Sequence, residues 1–179
     1  PADLAGQKIR VQQSDSQVKM IELMGGVASP MGQGEVYTAL QSGVLNGAEN
    51  NETVYNALKH DEVAKFYNYT RHLMIPDYLL MSTQSLEAMD PADRETFLAL
   101  VPEAAKMAND GFVTFVEESK DKSIAAGATF NDDVDVEAFK AAVQPLVDES
   151  INNDVRKALY EAVQKANAKR GADEVMSDD

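Results

Sequence analysis

The chain has no cysteine. Disulfide staples, thiolate metal sites and cysteine nucleophiles are therefore excluded, and the absence is compatible with an oxidising compartment. No apolar run is long enough to cross a bilayer, so the chain is not itself expected to span a membrane. Positive charge is scarce: 16 Lys and Arg stand against 30 Asp and Glu, a net charge of -14. With no basic patch to offset that field, no nucleic-acid partner is expected. The two histidines, His60 and His72, have no close carboxylate pair in metal-ligand spacing. A Gly-x-Ser-x-Gly elbow and a phosphate loop are also missing. No catalytic set emerges, and neither metal nor cofactor is expected. The chain opens on Pro1-Ala2-Asp3-Leu4 with no initiator methionine or signal peptide. It reads as a processed or truncated piece, in which a missing signal says nothing about location.

What is present is a strand–helix alternation over a length sufficient for one domain with a real core, or two small ones. Ile9 to Val11 reads as a short strand. Ser14-Asp15-Ser16-Gln17 fits a capping box, and Val18, Met20, Ile21, Leu23 and Met24 follow with helical spacing to Gly25-Gly26. Val27 to Ser29 is a second strand, residues from Gly34 to Gly43 a second helix, and Val44 to Glu49 a third strand. Asn50 or Asn51 then caps a helix bearing Val54, Tyr55 and Leu58. This alternation predicts an α/β layer with a mostly parallel sheet. From Asn68 the pattern changes, and Tyr69 to Ile75 and Tyr78 to Met81 read as two extended runs split by Pro76. Asp90-Pro91 starts a long helix that ends before Gly127, with Pro102 expected to kink or split it. A short strand near Thr129-Phe130 and two further helices follow, and 173–179 reads as a frayed acidic tail.

Ligands of such sheets bind beyond the carboxyl ends of the strands. Arg10, Gln13, Met31, Gln33, Asn50 and Asn51 all fall at or just past those ends. An arginine fork beside carboxamides is suited to an organic acid. Screening limits distant charges to about 10 Å, so one close arginine can hold an anion on an acidic protein. Read from the residues alone, the plainer readings of Arg10 as a solvated strand arginine, Asn50 as a helix cap and His72 as a satisfied strand histidine are preferred, while Gln13 and Gln33 are as readily surface amides and Asp77 a solvated carboxylate after Pro76.

Four collinear stretches name a family. They are Gly6-x-Lys8-Ile9-Arg10-Val11, Pro30-Met31 with Glu35-Val36-Tyr37-x-Ala39-Leu40-Gln41-x-Gly43-Val44, Gly47-Ala48-Glu49-Asn50, and Thr70-x-His72. Together they resemble the solute-binding proteins of TRAP transporters, the DctP family. The resemblance implies a periplasmic-binding-protein-like fold of two α/β lobes joined by crossing strands and a long bridging helix. This chain would cover most of the second lobe, residues 1–75 and 116–179. Residues 76–115 would be a segment of the first lobe with part of the bridging helix. By the same resemblance Arg10 makes a bidentate salt bridge to a ligand carboxylate and Asn50 hydrogen-bonds it. The doubled Asn50-Asn51 is similar to the subgroup that takes hexuronates. Gln33, Gln13 and His72 stand at further ligand positions, and Asp77, after Pro76, is placed to accept hydrogen bonds from ligand hydroxyls. The function implied is an extracytoplasmic or periplasmic protein that captures an organic acid and delivers it to a membrane permease. Two other readings remain: an enzyme on sugar acids with His72 as base, and a ligand-sensing module of a receptor.

Overall fold

A computed structural model describes residues 1–175, with side chains to residue 169. The acidic tail from Asp173 thus lies largely outside the described residues. Strand β1 (Lys8–Val11) leads through helix α1 (Asp15–Leu23) to strand β2 (Val27–Pro30). A 3-10 turn at Gln33–Glu35 then runs into helix α2 (Val36–Gln41), followed by strand β3 (Gly47–Ala48). The strands are parallel in the order β2-β1-β3, with Arg10 beside Ser29 on one side and Ala48 on the other. The chain therefore leaves β1 in one direction and returns past it in the other. Right-handed crossovers then place α1 and α2 on opposite faces, and the strand order reverses at β1.

Period-two alternation in β1 decides where its side chains go. Val11, with Ile9, packs against Met20, Ile21 and Met24 of α1 and against Phe139. Arg10, between them, faces the other side. There Val36, Ala39 and Leu40 of α2 pack with Leu45, Met31 and Ala48. Each large apolar side chain buried in these two clusters contributes about 1.5–3 kcal/mol. The side that holds Arg10 is thus walled by apolar residues while the arginine itself sits at the carboxyl end of the strand.

Helices α3 (Glu52–Ala57) and α4 (His60–Val63) lead to strand β4 (Phe66–Asn68). After an irregular passage come α5 (Thr83–Glu87), α6 (Pro91–Ala125), strand β5 (Thr129–Asn131), α7 (Val136–Ser150) and α8 (Asp154–Val175). β4 and β5 form a second, two-stranded parallel sheet. Tyr67 stacks on Phe130 with ring centroids 4.9 Å apart, and Tyr55 of α3 meets Tyr67 at 5.1 Å. The edge of β3 away from β1 and the strand β4 line one cleft of about 370 Å³, which runs between the two sheets.

Several local expectations change. The Ser14 side chain does not cap α1; its Oγ lies 3.0 Å from Ser16 Oγ, and Gln17 Oε1 instead accepts from the Gln12 N–H. The third strand is two residues long, because Leu45 is drawn into the α2 cluster. β4 and α4 were not foreseen. Residues 69–81 form no strand, and Met74, Ile75, Tyr78, Leu79 and Leu80 are exposed. A strand needs a neighbour for its backbone groups; Tyr69 still donates its N–H to the Asn131 carbonyl at 3.0 Å, but beyond it no strand lies alongside among the described residues. Pro102 lies inside α6 without splitting it. The helix is exposed on that stretch, so solvent can serve the carbonyl that the proline leaves without a donor. The start of α6 is as expected, with Asp90 Oδ1 accepting from the Ala92 N–H at 2.9 Å. Its end is too: Gly127 adopts a φ of +90°, which a side chain would strain.

Candidate functional site

Three strand ends meet where the order reverses. Arg10 comes from β1, Met31 and Gln33 follow β2, and Glu49, Asn50 and Asn51 follow β3. Arg10 is only 2% exposed. Its Nε and Nη2 both donate to the Met31 carbonyl, at 3.0 and 2.8 Å. Met31 is itself fixed, since its N–H donates to the Val11 carbonyl at 3.1 Å. One edge of the guanidinium is therefore clamped to backbone. Its Nη1 is buried with no partner. That leaves the Nη1/Nη2 end of the fork for an acid, in an end-on approach. Burial lowers the Arg10 pKa, opposed by the nearby Glu49 carboxylate.

Asn50 is held from three directions. Its Oδ1 accepts from the Asn51 N–H at 3.0 Å, and its carbonyl accepts from the Tyr67 hydroxyl at 2.8 Å. Its Nδ2 stands 3.5 Å from Gln33 Oε1, at the outer limit of a hydrogen bond. Gln33 Nε2 is buried and unpartnered. Asn51 caps α3: its Oδ1 accepts from the Val54 N–H at 2.9 Å and from Thr53 Oγ1 at 2.8 Å. Only its amide nitrogen remains for another use. His72 Nδ1 lies 2.5 Å from Thr70 Oγ1, and its Nε2 lies 3.8 Å from Glu49 Oε2. The cleft between the sheets is lined at this end by Glu49, Asn50, His60, Tyr67, Thr70 and His72. Its volume of about 370 Å³ falls in the range of small-molecule sites.

Gln13 and Asp77 are not brought into this group. Both are exposed, and neither lines the cleft. The residues that sequence reasoning missed are His60, Glu49, Thr70 and Tyr67. His60 is 3% exposed, and its Nε2 is buried without a partner. It lines both the cleft and a second pocket of about 220 Å³ shared with Gln33 and Tyr37. Burial lowers its pKa, the Arg10 charge lowers it further, and Asp61 opposes them. Glu49 and Thr70 stood in the motifs without a role. The alternation of Tyr67 and Tyr69 was the available signal for β4.

The groups left over are the Asn50 amide and two imidazoles around a cleft with polar and apolar walls, and, at the strand ends outside its lining, the Arg10 fork and the Gln33 and Asn51 amide nitrogens. They can hold a carboxylate and pair with hydroxyls. Among the described residues no group of three or more His, Cys, Asp or Glu is placed to hold a metal ion. No helix there is long and apolar enough to cross a membrane.

Comparison with known proteins gives a consistent picture. Residues 1–154 match the family described as bacterial extracellular solute-binding protein, family 7. A solute-binding protein of Chromohalobacter salexigens is 40% identical over 151 residues, covering 84% of this chain and 45% of that protein. A TRAP periplasmic solute-binding protein of Anaerococcus prevotii, solved with bound D-glucuronate, superposes with a TM-score of 0.86 at 41% identity. That match covers 94% of this chain and 55% of the other. A TRAP protein of Xanthobacter autotrophicus, solved with β-D-galacturonate, gives 0.84 at 35% identity, covering 92% and 55%. The chain spans about half the length of the curated relatives it matches.

Proposed function

Because this chain belongs to the bacterial extracellular solute-binding proteins of family 7, we propose that the complete protein captures a sugar acid, of the hexuronate class, outside the inner membrane and hands it to a TRAP-type permease. The observation that carries this reading is Arg10: a buried cation, clamped on one edge by the Met31 carbonyl, with Nη1 unpaired at the strand ends. A buried arginine with an idle donor is costly unless an acceptor arrives. A carboxylate meeting Nη1 and Nη2 end-on satisfies it. Asn50, Asn51, Gln33 and His72 supply further contacts, and Gln13 and Asp77 join them only if the site closes. The uronates bound by the Xanthobacter and Anaerococcus relatives favour the same ligand class.

In this reading residues 1–75 and 116–179 are one lobe, and 76–115 belongs to the other with part of the bridging helix α6. The exposed Leu79, Leu80 and Met107, at 73%, 85% and 71%, are then covered by the rest of the polypeptide. The cleft between β3 and β4 is closed by that same remainder. Lobe closure around the acid removes competing water and strengthens the Arg10 contact. Thermal unfolding of the complete mature protein against glucuronate, galacturonate, gluconate, a sialic acid, succinate and pyruvate tests the reading. A ligand at 100 times its dissociation constant adds about 2.7 kcal/mol of stability. A shift with the uronates is the expected result. A shift with succinate or a sialic acid alone would keep acid capture and discard the uronate. No shift with any acid would overturn the site.

A further inference from the structure

Strand β3 ends at Ala48, and its ladder with β1 closes with the Glu49 N–H donating to the Arg10 carbonyl at 3.2 Å. Helix α3 begins only at Glu52, behind its cap Asn51. Asn50 lies between the ladder and the helix, outside both. Its prop comes from the other sheet. The Tyr67 hydroxyl of β4 donates to the Asn50 carbonyl at 2.8 Å, and both residues line the cleft. The Asn51 N–H, which belongs to the same peptide unit, donates to Asn50 Oδ1 at 3.0 Å. Both polar groups of that peptide are therefore engaged, one by Tyr67 and one by the Asn50 side chain itself. The carboxamide can turn only if the peptide turns with it or the bond from Asn51 breaks.

Tyr67 is itself held firmly. Its ring lies among three others, with Phe130 at 4.9 Å and Tyr55 and Tyr69 each at 5.1 Å between centroids. Phe130 is its partner in the β4–β5 register, and Lys120 of α6 lies over the Phe130 ring at 5.5 Å. Tilted and edge-on ring contacts fix the position of a ring as well as burying it. Burial, with the Glu52 carboxylate next, pushes the Tyr67 phenol well above its ordinary value, so the hydroxyl keeps the proton that it donates. We propose that Tyr67 is a positioning residue for acid capture: its hydroxyl fixes the Asn50–Asn51 peptide and thereby aims the Asn50 carboxamide at the ligand. The inference rests on the acid-capture reading above. Asn50 Oδ1 is turned back onto backbone, so Nδ2 is the group presented, and it suits a carboxylate or hydroxyl oxygen. A donor aimed in advance loses less freedom when the ligand arrives.

The test uses the complete mature protein, titrated calorimetrically with D-glucuronate as wild type, Tyr67→Phe, Asn50→Ala and the double variant. Tyr67→Phe keeps the ring stack and removes only the hydroxyl. It should weaken glucuronate by ~3- to 10-fold. Asn50→Ala keeps Arg10 and so retains weakened binding, and in that background Tyr67→Phe should cost nothing further. A hydroxyl that only stabilises the fold would lower the urea midpoint and leave the affinity unchanged, which would overturn the inference. Equal losses with and without Asn50 would overturn it too, because Tyr67 would then act through something else. Phe130→Leu leaves the hydroxyl but removes a ring on which Tyr67 stacks; it serves if Tyr67→Phe does not fold, with a smaller loss expected, again absent beside Asn50→Ala. Full affinity in Asn50→Ala would overturn the inference while leaving acid capture standing. No glucuronate binding by wild type would overturn both.

Discussion

Arg10 was legible in the sequence as a cation at a strand end, but its working edge was not. The Met31 carbonyl occupies Nε and one Nη2 hydrogen, so the fork is offered end-on. A lysine at this place would lose either the clamp or the ligand, having one nitrogen to serve both. Neither His60 nor Glu49 was assigned a role, because nothing local distinguishes them. Their significance comes from being brought under Arg10 by α4 and β3. The lowered His60 pKa has a consequence for stability. Below about pH 6.5 the unfolded chain takes up a proton on this histidine, while the folded protein resists it until its own lower value is reached. The unfolded state therefore binds more protons in that window, and stability falls as pH drops through it. Chemical denaturation of wild type and His60→Gln between pH 8 and 5 should show a shallower fall in the variant. Parallel curves would contradict a neutral, buried His60.

At the scale of the element, what could be read was what local chemistry fixes. Asp90-Pro91 and Gly127 bound α6 as expected, because a cap, a fixed proline φ and a left-handed glycine act within a few residues. The failures involve partners far along the chain. Phe66–Asn68 is a strand because Thr129–Asn131 lies beside it, 63 positions away in the register. Thr70 to Met81 has strand-forming residues and no strand beside it among the described residues. Asn51 shows how an element and a site share one residue. Its Oδ1 holds the first turn of α3, and α3 in turn carries Tyr55 against Tyr67, whose hydroxyl holds the Asn50 carbonyl. Asn51→Ala should cost about 0.5–2 kcal/mol of stability, and Asn51→Gly only a few tenths. Equal losses in urea titrations of the two variants would indicate that the side chain matters for something other than the cap.

For the whole molecule, family and general architecture were evident because the motifs sit at successive strand ends of one parallel layer. The division into lobes was less so, since the exposed apolar surface of residues 73–81 and α6 is meaningful only against something that covers it. Such a surface favours association. It fits a chain that spans about half the length of its relatives. In the proposed reading, closure of two lobes would let one arginine suffice on an acidic protein: once water is excluded, a close pair is felt far more strongly than the distant field. The most direct test is isothermal titration of the complete mature protein with D-glucuronate, run beside its Arg10→Ala variant. The account predicts saturable one-to-one binding by wild type. It predicts a loss of about 2–5 kcal/mol in the variant, with folding retained by circular dichroism. Glucuronate affinity that survives the loss of Arg10 unchanged would contradict it.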